Sequence, residues 1–141
     1  MSELNFKLII ALARTQNKLT ARTENQIAIY GLNLSEFGVL EMLYNKGPQP
    51  VQQIAEKILV TSGTITYNID KLQKKGYITR KQSENDKRIY HVSLTDSGIE
   101  IMKDVFPAHE KFIDHLFRGV DEEVKQALIN NLKLFQQQIE F

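Results

Sequence analysis

The first thirty residues carry apolar side chains on two faces of a predicted helix. Leu4, Leu8 and Leu12 form one stripe. A second stripe runs beside it and consists of Phe6, Ile9, Ile10 and Ala13. Because one stripe is enough to attach a surface helix to its own core, the second stripe predicts packing against a partner helix.

Clear start and stop signals divide the segment that follows. Asn33 is the predicted N-cap of a second helix, since Glu36 follows it at the spacing of a capping box. Gly47 and Pro48 end this helix, because glycine and proline are typical just beyond a helix C-terminus. A shorter helix is predicted at about 51–58.

A helix-turn-helix is predicted at about 51–75. The segment LVT makes a tight turn after the short helix, Thr61 is the predicted N-cap of the next helix, and Gly76 ends it. One face of that helix is apolar and carries Ile65, Ile69 and Leu72. At roughly 100° per residue, Gly63, Tyr67 and Lys74 point away from this face. The free face is therefore polar.

A β-hairpin is predicted at about 77–94. In the segment IYHVSL, Tyr90, Val92 and Leu94 alternate with their neighbours at the period of a strand. The loop before this strand holds four charged residues, Glu84, Asp86, Lys87 and Arg88. A hairpin that only covers a core needs a tight turn and not four charges, so these charges indicate a further role. The simplest alternative is that they belong to a solvated loop.

Two more helices are predicted in the last third of the chain. Thr95 is the predicted N-cap of the first of them, and Pro107 inside it predicts a kink or a restart. Asp121 is the predicted N-cap of the last helix. The predicted fold is mainly α with a small β-hairpin wing (α+β), arranged as one domain over residues 1–141.

Charge is distributed unevenly along a chain whose net charge is only +1. Residues 46–91 hold nine Lys and Arg against four Asp and Glu, whereas residues 92–141 hold five against nine. The net charges are therefore +5 and −4, and the basic segment coincides with the helix-turn-helix and the hairpin. Such a segment favours a polyanionic partner.

Several classes of function find no support in the sequence. There is no cysteine, so a disulfide framework or a thiol switch is excluded, and a cytoplasmic location is expected. We find no catalytic motif or membrane-spanning apolar run. The three histidines lack metal-ligand spacing, so we expect no enzyme activity, no cofactor and no metal.

The segment DKRIYHVSLTDSG carries a family resemblance. It fits the pattern D-x-R, three residues, V-x-L-T-x-x-G at every fixed position, which are Asp86, Arg88, Val92, Leu94, Thr95 and Gly98. The preceding segment DKLQKKGYITR also fits. The chain resembles the MarR family of winged helix-turn-helix transcriptional regulators over nearly its whole length.

The resemblance implies a homodimer that binds double-stranded DNA at a pseudo-palindromic operator. It implies dimerisation through the helices at about 1–30 and 96–141, and often a repressor that a small aromatic or phenolic compound releases. The apolar residues expected in the dimer interface are Phe6, Ile9, Leu128, Leu132, Phe135 and Ile139.

The resemblance also assigns roles within the DNA-binding segment. Arg88 resembles the family arginine that enters the minor groove, and we expect Asp86 to hold its side chain in place. Lys87 is a further wing contact. The candidate contacts on the recognition helix are Ser62, Gly63, Thr64, Thr66 and Tyr67, with Lys71 and Lys74 on phosphates. Asp70 is expected to pair with Lys74.

Several alternatives remain open from the sequence. A winged helix that binds protein predicts an exposed apolar patch on the free helix face, and a metal-responsive repressor predicts a ligand cluster. Lys71, Lys74 and Lys75 could form a solvated face instead of binding DNA. His109 is expected to be a hydrogen-bonded histidine at an interface, and the more specific alternative is that it lines an effector pocket. A zinc site from Glu24 and His109 is the weakest alternative.

Overall fold

A computed structural model describes residues 2–58 and 62–139. The helices are α1 (Glu3–Ala28), α2 (Leu34–Lys46), α3 (Val51–Ile58), α4 (Ser62–Lys74), α5 (Asp96–Leu116) and α6 (Glu122–Gln138). The strands are β1 (Gln49–Pro50), β2 (Ile78–Gln82) and β3 (Tyr90–Leu94). Helices therefore flank the helix-turn-helix and hairpin on both sides along the chain.

Three predicted helix ends before the hairpin, at Asn33, Gly47 and Gly76, are confirmed. Asn33 and Glu36 form a capping box, in which each side chain accepts a hydrogen bond from the other residue's backbone N–H. Gly47 has a φ of 79° and Gly76 a φ of 83°, a backbone conformation in which side chains with a Cβ are strained. Both glycines lie just beyond the helices that they end.

Three further predictions about where helices begin or restart are not confirmed. Thr61 lies outside the described residues, so its predicted capping role stays a prediction. Asp121 occupies the N-cap position of α6, but its side chain makes no capping hydrogen bond. The restart expected at Pro107 is wrong, because α5 continues through this residue. A proline removes only one backbone donor, which the remaining turns of a 21-residue helix can tolerate.

The strands form one antiparallel sheet in the order β1-β3-β2. In the hairpin, Ile78 pairs with Leu94 and Gln82 pairs with Tyr90. The strand β1 was not predicted from the sequence, since it contains only two residues and one of them is proline. Pro50 lies opposite His91 at the edge of the sheet, where a missing N–H is tolerated.

One hydrophobic core lies within the compact unit that ends at His109. It buries the three apolar residues predicted for α4, together with Ile54 of α3 and Val92 of β3. Gly98, the last fixed position of the sequence motif, packs against the backbone of Tyr77. A Cβ at position 98 would overlap the Tyr77 carbonyl oxygen. Glycine is therefore required where α5 meets the first strand of the wing.

The second compact unit runs from Glu110 through the end of α6. No residue of α6 is buried in the described chain. Its exposed large apolar side chains are Val124, Leu128, Ile129 and Leu134, followed by Ile139 just beyond the helix. Among the described residues, no helix is long and apolar enough to cross a membrane.

Candidate nucleic-acid interface

The recognition helix α4 separates its apolar and polar residues as the sequence predicts. Ile65, Ile69 and Leu72 are buried, whereas Tyr67 is 62% exposed. The Nζ atom of Lys71 lies 5.8 Å from the centre of the Tyr67 ring, within reach of a cation–π interaction. Among the other candidate contacts, Thr64, Thr66 and Lys74 are exposed. The side chains of Ser62 and Gly63 lie outside the described part of the chain.

At the tip of the wing, Asp86 holds Arg88. The Asp86 carboxylate accepts hydrogen bonds from the Arg88 backbone N–H at 3.0 Å and from its Nε and Nη2 at 3.1 Å each. The Arg88 side chain remains 90% exposed. These contacts, the side-chain bond above all, lower the pKa of Asp86 below its ordinary value of 3.8. The Asp86 carboxylate thus orients the guanidinium of a mostly exposed side chain.

Two residues that the sequence analysis did not select also stabilise the wing tip. The Ser83 Oγ accepts hydrogen bonds from the backbone N–H groups of Asn85 at 3.3 Å and Asp86 at 3.4 Å. Gln82 donates a 2.6 Å hydrogen bond to the Lys87 carbonyl. A serine that precedes a charged turn is a local signal that could have indicated this role.

Asp70 does not have the partner expected from helical spacing. Its carboxylate accepts a 2.5 Å hydrogen bond from Nη2 of Arg80 on β2, and Arg80 Nε donates at 2.9 Å to Gln73 Oε1. The expectation of an ion pair with Lys74 is therefore corrected. Arg80 binds Asp70 in place of Lys74 because its guanidinium can donate to two acceptors on α4 at once. A lysine ammonium group lacks this planar, forked geometry.

A groove of about 670 Å³ lies between the recognition helix and the wing. It is lined by Pro50, Val51, Gln52, Thr66, Gln73, Arg80, Arg88, Ile89 and Tyr90. The groove brings the start of α3, the polar side of α4 and the base of the wing tip together. Sequence distance separates these segments by up to forty residues, and only the fold makes them one surface.

Lys75 is an exposed residue whose ammonium group binds two acceptors near the start of α2. Its Nζ donates to Glu36 Oε2 at 2.7 Å and to the Gly31 carbonyl at 2.9 Å. Glu36 is 1% exposed, and its other oxygen accepts the capping bond from the Asn33 backbone N–H. These contacts give Lys75 a structural role that its sequence pattern does not indicate, and its place on a solvated face or against DNA stays a prediction. Lys75 ties the end of α4 to the start of α2.

His109 is a buried, hydrogen-bonded histidine of α5. Its Nδ1 lies 3.0 Å from Gln26 Oε1, and its Nε2 lies 4.0 Å from Glu41 Oε2. The ring of Phe37 packs edge-on against the imidazole, and the two ring centres are 4.6 Å apart. Within residues 2–58 and 62–139, no group of three or more His, Asp or Glu side chains could hold a metal ion.

Sequence comparison with known proteins assigns the chain to a protein family. The model of the MarR family matches residues 32–90. The transcriptional regulator MhqR of Bacillus subtilis is 41% identical over 133 residues, which cover 94% of this chain and 92% of that protein. The chain belongs to the MarR family. YkoM of the same organism, an uncharacterised regulator of the helix-turn-helix type, is 42% identical over 104 residues, covering 74% of this chain and 68% of its own.

Solved structures agree on the MarR fold. AbfR in its reduced form bound to DNA has a TM-score of 0.78 at 23% identity, covering 97% of this chain and 96% of its own. BpsR of Bordetella bronchiseptica, whose DNA binding 6-hydroxynicotinic acid regulates, has a TM-score of 0.82 at 19% identity, covering 92% and 98%. The predicted winged helix-turn-helix fold is confirmed. The prediction that the protein is a DNA-binding transcriptional regulator of the MarR family is also confirmed.

Proposed function

We propose that this regulator binds a pseudo-palindromic operator as a homodimer and represses transcription until a small aromatic or phenolic effector releases it. All 141 residues form a single MarR-type domain in this proposal. Each protomer places the exposed face of α4 in the major groove and the wing tip against the adjacent minor groove. One dimer thereby reads two half-sites.

The observation that carries the DNA-binding geometry is the ordered arginine at the wing tip. Three hydrogen bonds from Arg88 to Asp86, one from the backbone N–H and two from the guanidinium, order a side chain whose exposed fraction is 90%. Ordering a long side chain in advance removes up to about 2 kcal/mol of rotamer entropy from the cost of binding. A narrow minor groove has enhanced negative potential, which favours a guanidinium.

The contacts proposed for α4 follow from its exposed face. Tyr67 and the hydroxyls of Thr64 and Thr66 are suited to base edges or phosphates, since hydroxyl groups can donate and accept. Lys71 and Lys74 supply phosphate contacts that carry no sequence information. Ser62 and Gly63 complete the proposed contact set at the start of the helix, and Lys87 adds a cation to the wing.

Exposed apolar side chains at both ends of the chain support the homodimer. In α1, Phe6 is 50% exposed and Ile9 is 60% exposed. At the other end, Leu128 is 54% and Ile139 is 44% exposed. Leu132 and Phe135 are half-buried members of the proposed interface. Large apolar patches of this kind mark interaction sites, and a second copy of the chain would cover them.

The proposed effector belongs to the aromatic or phenolic class, of which the 6-hydroxynicotinic acid that regulates BpsR is one example. His109 is the candidate pocket residue in this chain. Its imidazole lies against the Phe37 ring and within hydrogen-bonding distance of Gln26. A planar ligand with a hydroxyl or carboxylate could exchange with the Gln26 amide and stack on the aromatic ring.

A protein-binding winged helix remains the alternative function, and the exposed side of α4 argues against it. That side carries Thr64, Thr66, Tyr67 and Lys74, and it does not form the apolar patch that such a module needs.

In vitro selection from randomised duplexes tests the proposal. We expect an enriched site with two inverted half-sites, bound by one dimer. Arg88→Ala should weaken binding to this duplex by about 1–3 kcal/mol, the range for a specific groove contact. Selection that enriches no common sequence, or a half-site bound by one monomer, would contradict it.

A further inference from the structure

Asp70 is a carboxylate on the side of α4 that is proposed to face DNA. It lies one turn from Thr66 and Lys74, and its side chain is 46% exposed. A carboxylate in this place repels phosphates, so its presence needs a compensating role. The structure shows what this carboxylate binds.

Arg80 reaches across from the wing to meet this carboxylate. Its Nη2 lies 2.5 Å from Asp70 Oδ1, and its Nε lies 2.9 Å from Gln73 Oε1. The guanidinium is therefore gripped by two side chains that lie three residues apart on α4. The exposed fraction of the Arg80 side chain is 33%, so solvent still reaches the group.

The groove between α4 and the wing is lined by the arginine of this ion pair and by Gln73, which binds the same guanidinium. Arg80 and Arg88 both line it, and each of them is bound to a carboxylate, Asp70 or Asp86. The two pairs differ in exposure, because the Arg88 side chain is 90% exposed whereas that of Arg80 is 33% exposed. Arg88 is oriented outward by its carboxylate, whereas Arg80 is drawn onto the helix surface.

We propose that Asp70 is a specificity-determining residue, which withholds the Arg80 guanidinium from DNA phosphates and so lowers the affinity for DNA of arbitrary sequence. This inference rests on the DNA-binding function proposed above. Neutralised phosphates supply nearly all of non-specific affinity, so one additional arginine–phosphate contact strengthens every sequence alike. Specificity is the ratio of operator to non-specific affinity, and withholding Arg80 raises that ratio.

Asp70→Asn is the variant that tests this role. Asparagine has nearly the same shape and keeps an oxygen that can accept from Arg80, but it removes the charge that holds the guanidinium. The probe is a duplex of mixed sequence, titrated at several salt concentrations, beside the duplex enriched by selection. Asp70→Ser serves as a second variant, and circular dichroism with thermal melting confirms that each variant is folded.

We expect Asp70→Asn to raise affinity for the mixed-sequence duplex about 5- to 10-fold at 0.1 M salt and to steepen the salt slope by about 0.9, the contribution of one phosphate. Affinity for the selected duplex should rise less, so the specificity ratio falls. In an Arg80→Gln background, the same Asp70 change should alter the affinity for mixed sequence less than about twofold.

Two results would overturn the inference. Folded Asp70→Asn protein could show unchanged or weaker binding to the mixed-sequence duplex, in which case Asp70 withholds nothing. Alternatively, Asp70→Asn could raise the affinity for the mixed-sequence duplex equally in the Arg80→Gln background. The gain would then come from lost repulsion between Asp70 and the phosphates, without any role of Arg80.

Arg88→Ala separates this inference from the function on which it rests. If Arg88→Ala weakens binding to the selected duplex while Asp70→Asn matches the wild type on both duplexes, only the inference fails. If the wild-type protein binds no duplex in a salt-dependent manner, the proposed function fails, and the inference falls with it.

Discussion

Breaking the ion pair between the buried Glu36 and the partly exposed Lys75 should destabilise the protein far more than changing Lys74. The perturbation is Lys75→Met, which keeps the length of the side chain and removes its charge. Glu36 is 1% exposed and accepts a 2.7 Å hydrogen bond from the ammonium group. The substitution therefore leaves a buried carboxylate without its cation.

The size of the effect follows from the surroundings of the carboxylate. Removing one partner of a buried pair costs about 3–5 kcal/mol, because the remaining charge stays desolvated. Two features reduce this cost here. The Lys75 side chain is 31% exposed, so water can approach the vacated position, and the Asn33 backbone N–H still donates to Glu36. We therefore expect the free energy of unfolding to fall by about 2–3 kcal/mol.

Urea unfolding measures this difference, and the protein concentration is held fixed because the stability of the proposed dimer would depend on it. The matched control is Lys74→Met on the exposed side of the same helix, for which we expect a change within about 0.5 kcal/mol. Glu36→Gln combined with Lys75→Met should recover part of the loss, because no buried charge remains. Equal stabilities of the two lysine variants would refute the reasoning.

Four further predictions concern the wing, the dimer and redox chemistry. Asp86→Ala should weaken binding to the selected duplex although it removes an anion beside DNA, and Lys87→Ala should cause a smaller loss over all sequences; tighter binding by Asp86→Ala would show a merely solvated loop. Since Arg88 lowers the pKa of Asp86, the order of the wing tip should be complete above pH 3.8 and be lost as pH falls through that lowered value. A carboxyl titration by NMR with its midpoint at or above 3.8 would contradict this. Light scattering at micromolar concentration should give twice the chain mass of 16.3 kDa, and a clean monomer would rule out the proposed dimer. Peroxide should not abolish DNA binding in a manner that a thiol reductant reverses, because the chain has no cysteine.

The roles of several charged residues depend on distances that no local pattern contains. Helical spacing pairs Asp70 with Lys74, but in the folded chain the Asp70 carboxylate binds Arg80 of β2. Lys75 resembles its neighbours in sequence and yet binds Glu36, which lies 39 positions earlier. An ion pair forms wherever packing brings two groups together, so its partners follow from the tertiary structure.

Local sequence patterns were enough to predict most of the helices, the capping box at Asn33, the apolar face of α4 and the wing motif, because each of these depends on residues a few positions apart. The strand β1 and the groove between α4 and the wing followed only from the folded chain. The physical reason is the range of the interactions. Capping and periodicity act within one or two turns, whereas strand pairing and grooves depend on segments that meet only after the core has formed.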